Sequence, residues 1–216
     1  MTHGHTADPD ESAEEHWDSR YRESERRWSG EPNAALVTEA AGMTPGRALD
    51  IGCGEGADAI WLARRGWRVT AVDVSGVALE RAARHAREAG AGTGVDWQRH
   101  DLAVSFPGGE WDLVSAHYLH SQAELPRDAV LRRAAAAVAP GGVLLVVGHA
   151  DPGDREEAHH HGMPFPTPEE VLEQLRLEPG RWAVERAAEF ERARADRERR
   201  PGLHRDNILR VRRLPG

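Results

Sequence analysis

The chain has 216 residues, 39% of them apolar, with a mean hydropathy of -0.63 and a formal net charge of -8. That suffices for one cored domain and is short for two, and no apolar run approaches the roughly 20 residues of a membrane helix. All 28 basic residues are arginine, which removes lysine-amine chemistry such as Schiff bases, and the single cysteine, Cys53, excludes an internal disulfide or a cysteine-based zinc site.

In chain order, residues 1–12 are polar and carry Pro and Gly, and are expected to be disordered. They lack the apolar stretch of a signal peptide, so the expectation is a soluble, cytoplasmic protein without a membrane partner. The run from Ser12 to Trp28 places Trp17, Tyr21 and Trp28 within about 40° on a helical wheel, which predicts an amphipathic helix begun by a Ser12–Glu15 capping box. A short helix follows Pro32 and ends at Gly42. The runs GRALDIG, WRVTAVDV, GVDWQRHDL, WDLVSAH and GGVLLVVGH then read as five strands. Helical stretches begin near Gly56, Ser75 and Pro126, and a short turn follows Leu102. Such alternation predicts parallel pairing, because each crossover returns to the same edge of the sheet. VAPGG, from Val138, reads as a helix end turning into the fifth strand. A helix from Thr167 to about Leu177 precedes two closing strands, RWAVERAAEFER and HRDNILRVRR. The domain plan is therefore 1–12 disordered and 13–216 a single domain: a helical cover over 13–45, a ligand-binding core over 46–150, a loop and helix over 151–180, and a closing strand pair over 181–216.

The chemistry concentrates in ALDIGCGEGADA, where a strand ends at a glycine loop and a helix begins. Gly52, Gly54 and Gly56 let the backbone approach a ligand that any side chain would strike. Gly52, Gly54 and Ala57, with Asp73 some 20 residues on, also satisfy the dinucleotide pattern, so a nicotinamide-dependent oxidoreductase competes for this segment. Asp50, on the strand two residues before Gly52, favours a cationic group such as the amino end of a methionine moiety and would repel a pyrophosphate. Asp101 and Leu102 close the third strand with a carboxylate and a backbone N–H, a pair suited to an adenine edge.

Four motifs in order, LDIGCGEG, VTAVDVS, RHDL with WDLV, and APGG, resemble the class I S-adenosylmethionine-dependent methyltransferases. The resemblance runs from about Trp17 to the end. It implies a doubly wound, Rossmann-like α/β fold: a mostly parallel seven-stranded sheet, order 3-2-1-4-5-7-6, with only the penultimate strand in space antiparallel. It also implies Gly52, Cys53 and Gly54 beneath the methionine part, Asp50 near its amino group, Asp73 on the ribose, Val74 on the adenine, Asp101 and Leu102 at the adenine edge, and Ala116 and His117 as further cofactor contacts. The segment EEHWDSRYRESERRWSGEPN is similar to the cofactor-covering segment of the thiopurine and tellurite-resistance methyltransferases. That likeness assigns Arg20 to the cofactor's carboxylate and Trp17 and Trp28 to the walls.

The expected reaction is transfer of a methyl group from S-adenosylmethionine to a sulfur, nitrogen, oxygen or metalloid atom of a small molecule, leaving S-adenosylhomocysteine. His117 and His120 follow the fourth strand and His149 ends the fifth, so these three are the candidate catalytic bases. Packing is the alternative for each, and no metal is expected. Cys53 reads as a small filler rather than a nucleophile, Asp112 as structural, and Trp61, Trp97 and Trp111 as core. The tract His159, His160, His161, with Met163 and Phe165, reads as part of a loop over the acceptor site. A non-catalytic S-adenosylmethionine binder is the remaining alternative. The acidic net charge and the strand end SAHYLH disfavour a nucleic-acid partner, although 192–213 is Arg-rich.

Overall fold

A computed structural model of the chain describes residues 11–121, 123, 125–150, 165–195 and 201–216. The expectations for residues 1–10, for the histidine tract 159–161, for Met163 and for the rest of 151–164 lie outside the described residues.

Helix α1 (Ala13–Arg22) starts under the expected capping box, with Glu15 N donating to Ser12 Oγ and Ser12 N to the Glu15 carboxylate. It stops six residues before Trp28, shorter than the aromatic stripe predicts. Tertiary bonds to the backbone of Arg27 and Trp28 take the chain out of the helix. Helix α2 (Ala34–Ala40) follows. Then come β1 (Arg47–Ile51), α3 (Ala57–Arg64), β2 (Arg68–Asp73), α4 (Gly76–Glu88), β3 (Val95–Arg99), β4 (Trp111–His117), α5 (Arg127–Ala136) and β5 (Val138–His149). Helix α6 (Pro168–Leu175), β6 (Trp182–Ala195) and β7 (Pro201–Arg213) complete the described chain.

The sheet has the order β3-β2-β1-β4-β5-β7-β6. The first five strands pair in parallel, and β7 runs antiparallel to both β5 and β6. Parallel strands covered on both faces read as continuous apolar runs rather than alternating ones, and the burial of β1 from Ala48 to Ile51 follows that rule. Leu49, Ile51, Val114, Leu144 and Leu209 face α5 and α6, while Ala48, Leu113, Leu145 and Ile208 face α2 and α3. The APGG segment is a correction: it lies inside β5, not at a helix end. Gly141 adopts φ 82 there, and the β4–β5 register shifts between Trp111 and Leu113, which absorbs the Pro-Gly punctuation as an irregularity.

Candidate active site

The carboxyl ends of β1, β2 and β4 converge on the glycine loop. Gly52 N and Cys53 N both donate to Val72 O, at 2.9 and 3.0 Å, which bends the chain sharply off β1. Gly52 and Gly54 adopt φ 72 and φ 53, a region that L side chains rarely enter. A Cβ on Gly52 would stand 2.8 Å from Leu119 Cδ1, and one on Gly54 would stand 2.9 Å from Tyr21 Oη.

Two buried carboxylates flank this loop. Asp73 Oδ2 accepts from Gly54 N at 2.8 Å and Oδ1 from Ser75 N at 2.9 Å. Burial pushes its pKa up, and the amides of Ser75, Gly54 and Val74 oppose. Asp50 Oδ1 accepts from Ser115 Oγ at 3.1 Å, while Asp50 Oδ2 is buried without a hydrogen-bond partner. Burial and the neighbouring Asp58 push Asp50 up to about 7, against His117 and Ser115. An unmatched buried carboxylate oxygen under a side-chain-free loop is suited to an ammonium group, because that cation would satisfy it. Cys53 sits half-buried between these carboxylates, and burial holds its thiol well above the ordinary range, which removes its nucleophilicity.

Three further carboxylates fasten the N-terminal cover to this loop, and sequence reading singled out none of them. Asp18 Oδ1 accepts from Ser75 Oγ at 2.6 Å and Val77 N at 3.2 Å, where α4 begins. Glu55 Oε2 accepts from Arg27 N and Trp28 N at 3.0 and 3.1 Å, and Glu55 Oε1 pairs with Arg81 at 3.1 Å. Asp58 accepts from Asn33 N and Nδ2, both at 2.7 Å. The clasps seat Trp28 so that its indole N–H donates to Tyr21 Oη, above Gly54. Trp17 donates to Ser121 Oγ at 3.1 Å, and the Arg20 guanidinium lies 5.8 Å over the Trp17 ring.

The three candidate histidines do not share one site. His117 Nδ1 lies 2.6 Å from Asp58 Oδ2 on the α3 face of the sheet, and its Nε2 is buried without a partner. Burial pushes Asp58 upward, but the His117 and Asn33 interactions outweigh it and hold the carboxyl below its usual range. His120 and His149 instead stack at 5.8 Å beyond β4 and β5, each edge-on to Phe165. His149 Nδ1 lies 3.2 Å from Asp206 Oδ1, and Tyr118 donates its hydroxyl to Asp206 Oδ2 at 2.7 Å. Tyr118 itself is left-handed, at φ 49, and its amide donates to Val147 O. Burial and the charge of Arg127 press His120 down to about 4, so it is neutral near pH 7.

Of the remaining predicted residues, half-buried Val74 and buried Ala116 lie at the ends of β2 and β4. Asp101 Oδ1 accepts from Ala103 N at 2.9 Å, and Leu102 packs in the core with its carbonyl 3.3 Å from Arg133. Among the described residues, no group of three His, Cys, Asp or Glu could hold a metal ion, and no helix is long and apolar enough to cross a membrane.

Residues 48–142 match the methyltransferase domain family. With this sheet order and the likeness to solved methyltransferases, residues 48–142 form a methyltransferase domain of Rossmann-like fold. The dinucleotide reading of the glycines is thereby set aside. Among solved structures, the chain is similar to the one titled "Conversion of a Disulfide Bond into a Thioacetal Group during Echinomycin Biosynthesis", with a TM-score of 0.72 and 25% identity over 93% of this chain and 91% of that one. TehB from Haemophilus influenzae shares the fold, with a TM-score of 0.66 and 15% identity over 93% of this chain and 66% of that one. A curated relative, the ribosomal RNA small subunit methyltransferase C of Chromohalobacter salexigens, is 36% identical over 107 residues, covering 48% of this chain and 32% of the relative. The chain thus spans about a third of that protein's length.

Proposed function

We propose that this chain methylates a heteroatom of a small molecule, using S-adenosylmethionine. The observation that carries the reading is the unmatched Asp50 Oδ2 beneath the left-handed Gly52–Gly54 turn, with Asp73 at the end of the next strand. These residues fit the cofactor: Asp50 for its ammonium, Asp73 for its ribose hydroxyls, Val74, Asp101 and Leu102 for its adenine, and Arg20 for its carboxylate. When bound, S-adenosylmethionine supplies a methyl group already activated by a positive sulfur.

The protein's part is alignment and exclusion of water, worth about 7 to 11 kcal/mol when reactants are held in line. Tyr21 and Trp28, held by the Glu55 clasp, shield the loop from solvent. Of the three histidines, His149 is the best placed to take a proton from an acceptor. Asp206 fixes its Nδ1 as the protonated nitrogen, which leaves Nε2 as the basic one, and its side chain is 43% exposed. His117 spends Nδ1 on Asp58 and is buried, and His120 is too weak a base. The small-molecule acceptor is favoured over RNA by the net charge of -8 and by the extent of the likeness to the echinomycin-pathway structure.

Calorimetric titration with S-adenosylhomocysteine, followed by turnover of labelled S-adenosylmethionine against thiols, phenols, amines and structured ribosomal RNA, tests this. Absence of binding at millimolar concentration overturns the reading, and turnover of RNA alone overturns the acceptor class.

A further inference from the structure

His117 is passed over as a base, yet it shares a buried polar cluster with Asp50. Asp50 and Ser115 are register partners on β1 and β4 and are joined by a hydrogen bond, so both point to the α3 face of the sheet. His117, two residues after Ser115, lies on that face as well, and there its Nδ1 meets Asp58 Oδ2 at 2.6 Å. Asp58 belongs to the first turn of α3, where a helix favours negative charge. It also accepts from Asn33 N and Nδ2. Burial opposes the charge, but His117 and Asn33 outweigh it, which makes Asp58 the ionised member of the cluster.

The charges on this face do not balance. Asp50 and Asp58 are both buried carboxylates. Burial first, and then the charge of Asp58, disfavours ionisation of Asp50; Asp73 at the end of β2 adds to them, while His117 and Ser115 oppose. Cys53, in the loop between, is held as a neutral thiol by burial. His117, itself 8% exposed, is the basic side chain of the cluster. Its cationic form balances Asp58, which leaves Asp50 as the carboxylate whose counter-charge must come from outside. The unmatched Asp50 Oδ2 is the corresponding gap in the hydrogen bonds.

We propose that His117 is a positioning residue for the cofactor: by balancing Asp58 it lets Asp50 ionise toward the incoming ammonium, and it acts through these two carboxylates rather than on the acceptor. This rests on the methyltransferase reading for the identity of the cation, though not for the coupling itself. The test follows the Asp50 midpoint in the full chain twice, by carboxyl carbon NMR without ligand and through the pH dependence of S-adenosylhomocysteine affinity in calorimetry. His117→Asn keeps a donor near the Nδ1 position and removes the charge. It is expected to raise the midpoint by about one pH unit, which weakens binding at pH 7 by about fivefold. Asp58→Asn removes the repelling charge and is expected to lower the midpoint. A general loosening of the fold changes affinity without sending two neighbouring variants in opposite directions. Midpoints unchanged in both variants, or displaced in the same direction, overturn the proposal. Should a variant not fold, Asp50→Asn decides from the other side, because the coupling is mutual. It must lower the His117 midpoint read from ring nitrogen NMR, and an unmoved midpoint overturns the proposal. Opposite shifts without ligand, in a chain that refuses S-adenosylhomocysteine, sink the methyltransferase reading and leave the control of Asp50 by His117 standing.

Discussion

Buried Asp50 and half-buried His120 are titratable residues whose shifts run in opposite senses. The folded state raises the carboxyl, so the neutral form is favoured, and the stability tied to Asp50 is present below its ordinary value and is lost as pH rises through about 7. An ammonium placed on Asp50 demands the ionised form. S-adenosylhomocysteine affinity should therefore increase with pH through about 7, with protons released on binding, and Asp50→Asn should flatten that slope in calorimetry. His120 is depressed to about 4, so the unfolded chain takes up the proton first as pH falls. Its contribution is intact above about 6.5 and is lost between there and about 4, by on the order of 3 kcal/mol. Urea denaturation of wild type and His120→Asn across this window should show the difference closing. The participants in these effects were partly legible beforehand: Asp50, Gly52, Gly54 and Asp73 follow from a strand–glycine–helix pattern. Asp58 and Arg127 do not, because their influence on Asp50 and on His120 comes from packing that no local pattern signals.

Among the elements, the cover is the one whose position depends on a few atoms. Glu55 meets Arg27 and Trp28 across 28 and 27 residues of chain. No local pattern signals such a contact, and it is also why α1 ends early. Glu55→Gln offers one carbonyl oxygen where the carboxylate offered two and leaves Arg81 without its counter-charge. We expect a loss of about 1 to 3 kcal/mol, faster hydrogen exchange at the amides of Arg27 and Trp28, and weaker S-adenosylhomocysteine binding. Unchanged exchange at both amides would contradict the clasp. The misread APGG segment carries a related lesson: Gly and Pro punctuate a chain, and long-range pairing decides whether the punctuation ends an element or only bends it.

At the scale of the molecule, the alternation of apolar runs with helices dictates parallel strands with both faces covered, and that much is readable from residue order. The position of β7 between β5 and β6 came from the family likeness, since strand order is a property of long-range pairing. The central strands carry the glycine turn and the histidine pair at their ends, so their packing sets the common scaffold. Leu144, fully buried beneath α5, should cost about 2 to 5 kcal/mol on truncation to Ala, read as a lower denaturation midpoint with S-adenosylhomocysteine absent as well as present.

Tyr118 has a part in this that its chemistry alone does not suggest. Pinned in a left-handed bend at the exit of β4, it hands the backbone to Leu119, whose side chain stands over Gly52, and to His120, which stacks on His149. A ligand at the glycine turn that displaces Leu119 therefore pulls on the histidine pair through two residues of backbone, and by reciprocity any shift of that pair is felt at the turn in equal free energy.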